Sequence, residues 1–184
     1  MLYALDNLPD KSKHVEVVDQ ENRLIAVMPF TTVQKQRLPY RTLIIVCKDQ
    51  NHCGLLRYIP QDTLEIPYFA AQIPGQAIYS HAASYVKTCL NAQINRLVHL
   101  ALVPPSQQIP SFITIVGLMI TGPHLQRKVQ EDNSYILIDD AACTGLLEQG
   151  FVPGPLFKML KAQKIWQNFL LPKTTTTTNT NTIN

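Results

Sequence analysis

Two apolar runs constrain this chain more than anything else in it: TLIIVC at residues 42–47 and FITIVGLMI at residues 112–120. Both are rich in β-branched side chains, and the longer one falls well short of the roughly twenty residues a bilayer-spanning helix needs. Short, nearly continuous apolar segments of this kind read as strands inside a sheet.

The flanking segments complete that sheet. VEVVD and RLIAV lie on either side of the polar break QEN and predict a hairpin. YRTLIIVCKD runs through QNHCG into GLLRYIP, a second expected hairpin at the sheet centre. YFAAQIPG reads as a short strand ending at Gly75, RLVHLALV as a partner for FITIVGLMIT, and YILID as a further strand.

Helices fill the gaps. TTVQKQRL has a Thr N-cap candidate and good helix formers. From Ser80 onward, Ala82, Tyr85, Val86, Cys89, Leu90 and Gln93 fall on one helical stripe. AACTGLLEQ opens at Asp139 or Asp140 and closes at Gly150, and a last helix from Pro155 to Trp166 aligns Leu156, Met159, Leu160 and Gln163. Strands through the middle with helices between and after them predict an α/β sandwich, a central mixed sheet flanked by helices. The expected organisation is a flexible segment at 1–13, one domain at 14–171, and a disordered Thr/Asn-rich tail at 172–184.

A formal charge of +3 with no Lys/Arg cluster argues against a nucleic-acid partner, and Arg127-Lys128 reads as a solvated loop pair. The opening MLYALDNLPDK carries acids where a signal peptide carries basic residues, and no membrane segment is expected. Cys47, Cys53, Cys89 and Cys143 form no Cys-x-x-Cys pair, as expected of reduced thiols in the cytoplasm. His52 beside Cys53 reads as a turn, and His81, His99 and Cys89 match no zinc spacing.

Acidic residues are distributed unevenly. Residues 66–130 contain no Asp or Glu, whereas thirteen acids spread evenly through 184 residues would put about five there.

HVEVVDQENRLIAVMPFTTVQKQRLPYRTLIIVCKD and QEDNSYILIDDAACTGLLEQG resemble the Nudix superfamily, in particular its isopentenyl-diphosphate-isomerase-like branch, over roughly residues 14–166. The resemblance implies a Nudix-like α/β/α sandwich and, for an active member, Mg²⁺- or Mn²⁺-assisted hydrolysis of a nucleoside diphosphate linked to another group. The family's box reads Gly, five residues, Glu, seven residues, then Arg-Glu-apolar-any-Glu-Glu-any-Gly-apolar. Its glutamates recur at helical intervals, converge on one face, and offer the hard oxygen ligands that divalent cations take.

Laid on this chain without gaps, the box puts its first glycine at Gly75 and its first glutamate at His81. Its Arg-Glu pair falls on Cys89-Leu90, and its metal-binding Glu-Glu pair on Gln93-Ile94. No gapped alignment restores a carboxylate, because residues 66–130 have none to offer. The family's fold is therefore expected with a degenerate box, no metal site and no cofactor.

The resemblance also places Arg41 where the branch has a His-Arg pair, and Arg57 where it has LLLQRR, both candidates for contacts with substrate phosphates. Gly75 and His81 complete the candidate substrate-binding set. Glu131 and Asp132 precede YILID, where the family often places a further acid, and they are the candidate catalytic residues.

Two functional readings follow. In one, the protein is a catalytically impaired module that binds a nucleotide or diphosphate ligand or a partner. In the other it is an active diphosphate hydrolase with a relocated or metal-independent site using Glu131 and Asp132, and only then with Mg or Mn as cofactor. Homo-oligomerisation through the apolar helix face or the Thr-rich tail is a further expectation to test.

Overall fold

The computed structural model describes residues 14–92, 94, 96–106 and 109–171; the terminal segments expected at 1–13 and 172–184, and Gln93, lie outside the described residues. In chain order the elements are β1 (His14–Val18), β2 (Leu24–Pro29), α1 (Phe30–Gln36), β3 (Tyr40–Lys48), β4 (Gly54–Ile59), β5 (Thr63–Glu65) and β6 (Tyr68–Ala71). Then come α2 (Ile78–Leu90), β7 (Arg96–Val103), β8 (Ser111–Met119), α3 (His124–Glu131), β9 (Tyr135–Ile138), α4 (Asp140–Glu148), β10 (Val152–Pro153), α5 (Pro155–Ala162) and α6 (Ile165–Leu170).

The two apolar runs become β3 and β8, which lie parallel and in register from Tyr40↔Ser111 to Lys48↔Met119. The other edge of β3 is divided among three strands: β1 at Tyr40, β6 from Thr42 to Ile45, and β4 at Lys48. The expected β3–β4 hairpin is thus reduced to the single pair Lys48↔Gly54. Beyond it β4 turns away to β9 and β5, while β6 takes the edge of β3 that a full hairpin would have used.

Alternation along β3 splits the interior in two. Ile44 and Val46 face a core closed by Leu156, Phe157, Leu160, Trp166 and Phe169 of α5 and α6. Leu43, Ile45 and Cys47 face the opposite way, toward Ala82, Tyr85, Val86 and Leu90 of α2 and Leu125 of α3. Successive side chains on a strand point to opposite faces, so one continuous apolar run supplies both cores. The central mixed sheet flanked by helices is the architecture the chain adopts. Among the described residues no helix is long and apolar enough to cross a membrane.

Helix ends depart from expectation in instructive ways. α2 starts at Ile78 after Ala77, ahead of the predicted Ser80, with no side-chain cap. Cys89, predicted on its buried stripe, is exposed. α4 behaves as predicted: Asp139 accepts from the Ala142 N–H at 2.7 Å, and Gly150 follows its end at φ +104°. The predicted last helix is two, broken where Lys164 adopts a left-handed backbone. Phe157 is buried there, while Met159 is only half-buried and Gln163 is exposed. Arg127-Lys128 belongs to α3, an element absent from the sequence reading.

Glu65 shows how the acids outside the acid-free stretch are used. Its carboxylate accepts from the backbone N–H groups of Ile66 (2.8 Å), Leu156 (3.1 Å) and Phe157 (2.8 Å), capping α5 from a different element. Burial pushes the Glu65 carboxyl above its ordinary value, partly offset by these donors.

The same face of the sheet makes room for α6 through glycines. A Cβ built on Gly54 would lie 2.3 Å from the Trp166 ring, and one on Gly117 would lie 2.4 Å from the Phe169 ring. Gly54→Ala should therefore cost about 2 kcal/mol by forcing Trp166 out of place, measured as a lower urea midpoint with a changed Trp166 emission. An unchanged midpoint would show that α6 yields freely.

Candidate functional site

The site the sequence points to is built around α2. The chain reaches it through a turn at Gly75, whose φ of +71° suits glycine and whose N–H donates to Glu16 Oε1 at 3.1 Å. Glu16 is buried on β1, and its other oxygen accepts from Arg41 Nη1 at 2.8 Å. Arg41 also donates to Asn22, from Nε to the side-chain oxygen at 3.0 Å and from Nη2 to the backbone carbonyl at 2.5 Å. Its guanidinium is engaged inside the protein, and it joins Gly75 through Glu16 rather than through a ligand.

The inner face of α2 carries His81, Ala82, Tyr85, Val86 and Leu90 into the core. His81 is 5 % exposed, and its Nε2 shares a hydrogen bond of 2.6 Å with Tyr68 Oη. Burial pushes the imidazole below its ordinary value and the Tyr68 phenol up to about 12, so the pair is held neutral. The position matched to the box's first glutamate thus faces the interior of the molecule.

The outer face is the open one. Tyr79, Ala83, Lys87 and Asn91 recur every four residues and form one wall of a groove of about 750 Å³. Thr121 and His124, at the start of α3, form the opposite wall, and none of the lining residues is a carboxylate. His124 Nδ1 is shielded from solvent and has no hydrogen-bond partner among the described residues. α3 is fixed in place by Gln126 Nε2, which donates to buried Asp49 at 2.9 Å. Lys87, His124 and Tyr79 were absent from the sequence reading; the four-residue spacing of Tyr79, Ala83, Lys87 and Asn91 was the available signal.

Glu131 is exposed at the end of α3. Asp132 follows it and accepts from the Ser134 hydroxyl at 2.6 Å and the Ser134 N–H at 3.0 Å, with Lys128 Nζ at 3.4 Å. The Ser134 bonds hold the Asp132 carboxyl below the usual range. Lys128 lies over the Tyr135 ring at 4.5 Å, and the Arg57 guanidinium lies 5.9 Å from the same ring. The expected residues therefore fall in separate places: Arg41 with Gly75 at Glu16, His81 with Tyr68, and Arg57 and Asp132 near Tyr135.

Mg²⁺ and Mn²⁺ call for several hard oxygen ligands. Among the described residues no three His, Cys, Asp or Glu side chains converge to hold a metal ion, and α2 presents no carboxylate. The residues present do not fit the divalent site that a Nudix box would build.

His81 can be tested directly. Its depressed pKa contributes stability that is present above about pH 6.5 and is lost as pH falls from there through the folded-state value. His81→Gln should show a smaller loss of unfolding free energy between pH 7.5 and pH 5.5 than the parent chain. Identical pH dependence in the two proteins would contradict the buried neutral pair.

No protein-family model matches the sequence, and no curated protein matches it. Among solved structures the chain is similar to DR0079 from Deinococcus radiodurans, at 14 % identity and a TM-score of 0.59, over 82 % of this chain and 98 % of that one. A Nudix hydrolase from Nitrosomonas europaea matches more loosely, at 15 % identity and a TM-score of 0.47, over 71 % of this chain and 89 % of that one. At these identities what this chain shares with DR0079 is the fold.

Proposed function

We propose that the chain is a Nudix-type protein that has lost metal-dependent hydrolysis and binds an anionic ligand of the nucleotide or diphosphate class in the groove along α2. The observation that carries this reading is the lining of that groove, where Lys87 and His124 stand across from each other with no carboxylate between them. A surface of this kind attracts phosphate oxygens and repels none, whereas a hydrolase of the family needs acids there to hold its metal. Tyr79 adds an aromatic side chain, 56 % exposed, against which a base could stack.

The candidate residues from the sequence take supporting parts in this reading. Arg41, Glu16 and Gly75 fix the turn that leads into α2, and His81 anchors the helix to β6. Glu131 and Asp132 remain the acids to which any residual catalysis would be traced. A cytoplasmic location belongs to the same reading, supported by four cysteines that are all free thiols.

Purified protein should bind ADP or an ADP-sugar without added metal, and Lys87→Glu should weaken binding about tenfold or more, the loss of one charge-assisted contact. With Mg²⁺ or Mn²⁺ the same compounds, dinucleoside polyphosphates and isoprenoid diphosphates should stay intact. Turnover at ordinary enzymatic rates would refute the reading, and abolition of that turnover in a Glu131→Gln, Asp132→Asn double variant would assign it to the acids before β9.

A further inference from the structure

A second cavity, of about 260 Å³, lies on the opposite face of the sheet from α2, between the ends of β7 and β8 and the last helix. Its walls are mostly aliphatic or aromatic: Val98 and Leu100 from β7, Met119 from β8, and Phe169 and Leu171 from the end of α6. Its shape has two identifiable causes. Gly117 lets the Phe169 ring settle against β8, since a Cβ there would lie 2.4 Å from the ring. The register of β7 shifts between His99 and Ala101, which leaves Leu100 as the extra residue of a bulge, and Leu100 lines the cavity.

Two cations border this apolar space. Arg96 is exposed at the start of β7 and forms no ion pair among the described residues. Lys48 is 8 % exposed at the end of β3, and its Nζ donates to the Phe169 carbonyl at 2.5 Å while lying 4.8 Å from the Phe169 ring centroid. Lys48 thus ties the C-terminal helix to the sheet and brings positive charge into the wall.

We propose that this cavity binds a small aliphatic anion, an unbranched carboxylate or phosphate monoester, with its head at Arg96 and its tail against Val98, Leu100 and Phe169. At about 30 Å³ for each water-sized group, 260 Å³ holds a chain of roughly eight such groups. The aliphatic lining favours methylenes over water, and the cationic rim selects the sign of the head group. The site is separate from the α2 groove and does not depend on the function proposed for it.

Trp166, the chain's one tryptophan, sits on α6 one turn before Phe169 and serves as a fluorescent reporter alongside calorimetry. Octanoate and octyl phosphate should bind at one per chain, and lengthening the probe from hexanoate to octanoate should tighten binding about fourfold per methylene. Octanol and octylammonium should bind at least about tenfold more weakly. Arg96→Glu should lose octanoate about tenfold or more while keeping the parent thermal midpoint, and Val98→Phe should block the cavity with Arg96 in place. Saturable binding of neither octanoate nor octyl phosphate, equal affinity for the bound anion and octanol, or full affinity in Arg96→Glu would each overturn the proposal. If octanoate binds and octyl phosphate does not, the head group is a carboxylate; the reverse result assigns a phosphate.

Discussion

The structure depends on β3 being wanted by every neighbour at once. Nine residues from Tyr40 to Lys48 carry β8 along one edge and parts of β1, β6 and β4 along the other, while their alternating side chains found the cores on both faces. A strand so enclosed satisfies its backbone through partners that are distant in sequence, and polar side chains within it need partners of their own. Thr42 shows the requirement: it is fully buried and makes a 3.2 Å contact with the Ser111 hydroxyl of its parallel neighbour.

Around this strand the carboxylates act mainly as internal connectors. Asp49 gathers the Asn51 and Cys53 N–H groups and the Gln126 amide, which secures α3. Glu65 caps α5, Asp139 caps α4, and Glu16 anchors the turn before α2. Each satisfies donors that would otherwise be stranded at a helix end or turn. None of these acids belongs to the segment that forms α2, β7 and β8, so both the groove along α2, with Lys87 on its wall, and the cavity beneath β7, with Arg96 and Lys48 at its edge, are lined without carboxylates.

Much of this was legible in the sequence because it is local. The Asp139 cap, the terminal glycine of α4, the β7–β8 hairpin and the buried character of β8 follow from residue type and spacing alone. The pairing of β3 was not legible, since a short polar break after Lys48 suits a full hairpin and nothing nearby announces that β6 and β8 will claim its edges. α3 was missed because it buries only Leu125 and its basic pair Arg127-Lys128 resembles a loop in sequence. Among the candidate site residues, Arg41 and His81 looked available because a sequence does not show that Glu16 and Tyr68 come within bonding distance of them. Lys87 and His124 went unnoticed for the opposite reason, since a lysine on the outer side of a helix is unremarkable until a second element faces it.

The carboxylate of Glu16 bridges a turn and an arginine that are far apart in the chain. It holds the Gly75 N–H, 59 residues away, with one oxygen and Arg41 with the other, and Arg41 in turn grips the β1–β2 turn at Asn22. Because Glu16 is buried and Arg41 is half-buried, salt screens the bridge less than it would an exposed pair. The turn that leads into α2 therefore cannot swing independently: to lift, it must either strip the buried Glu16 carboxylate of its donors or carry the amino-terminal hairpin with it. The amino-terminal hairpin and the entry to α2 are thereby held as one unit.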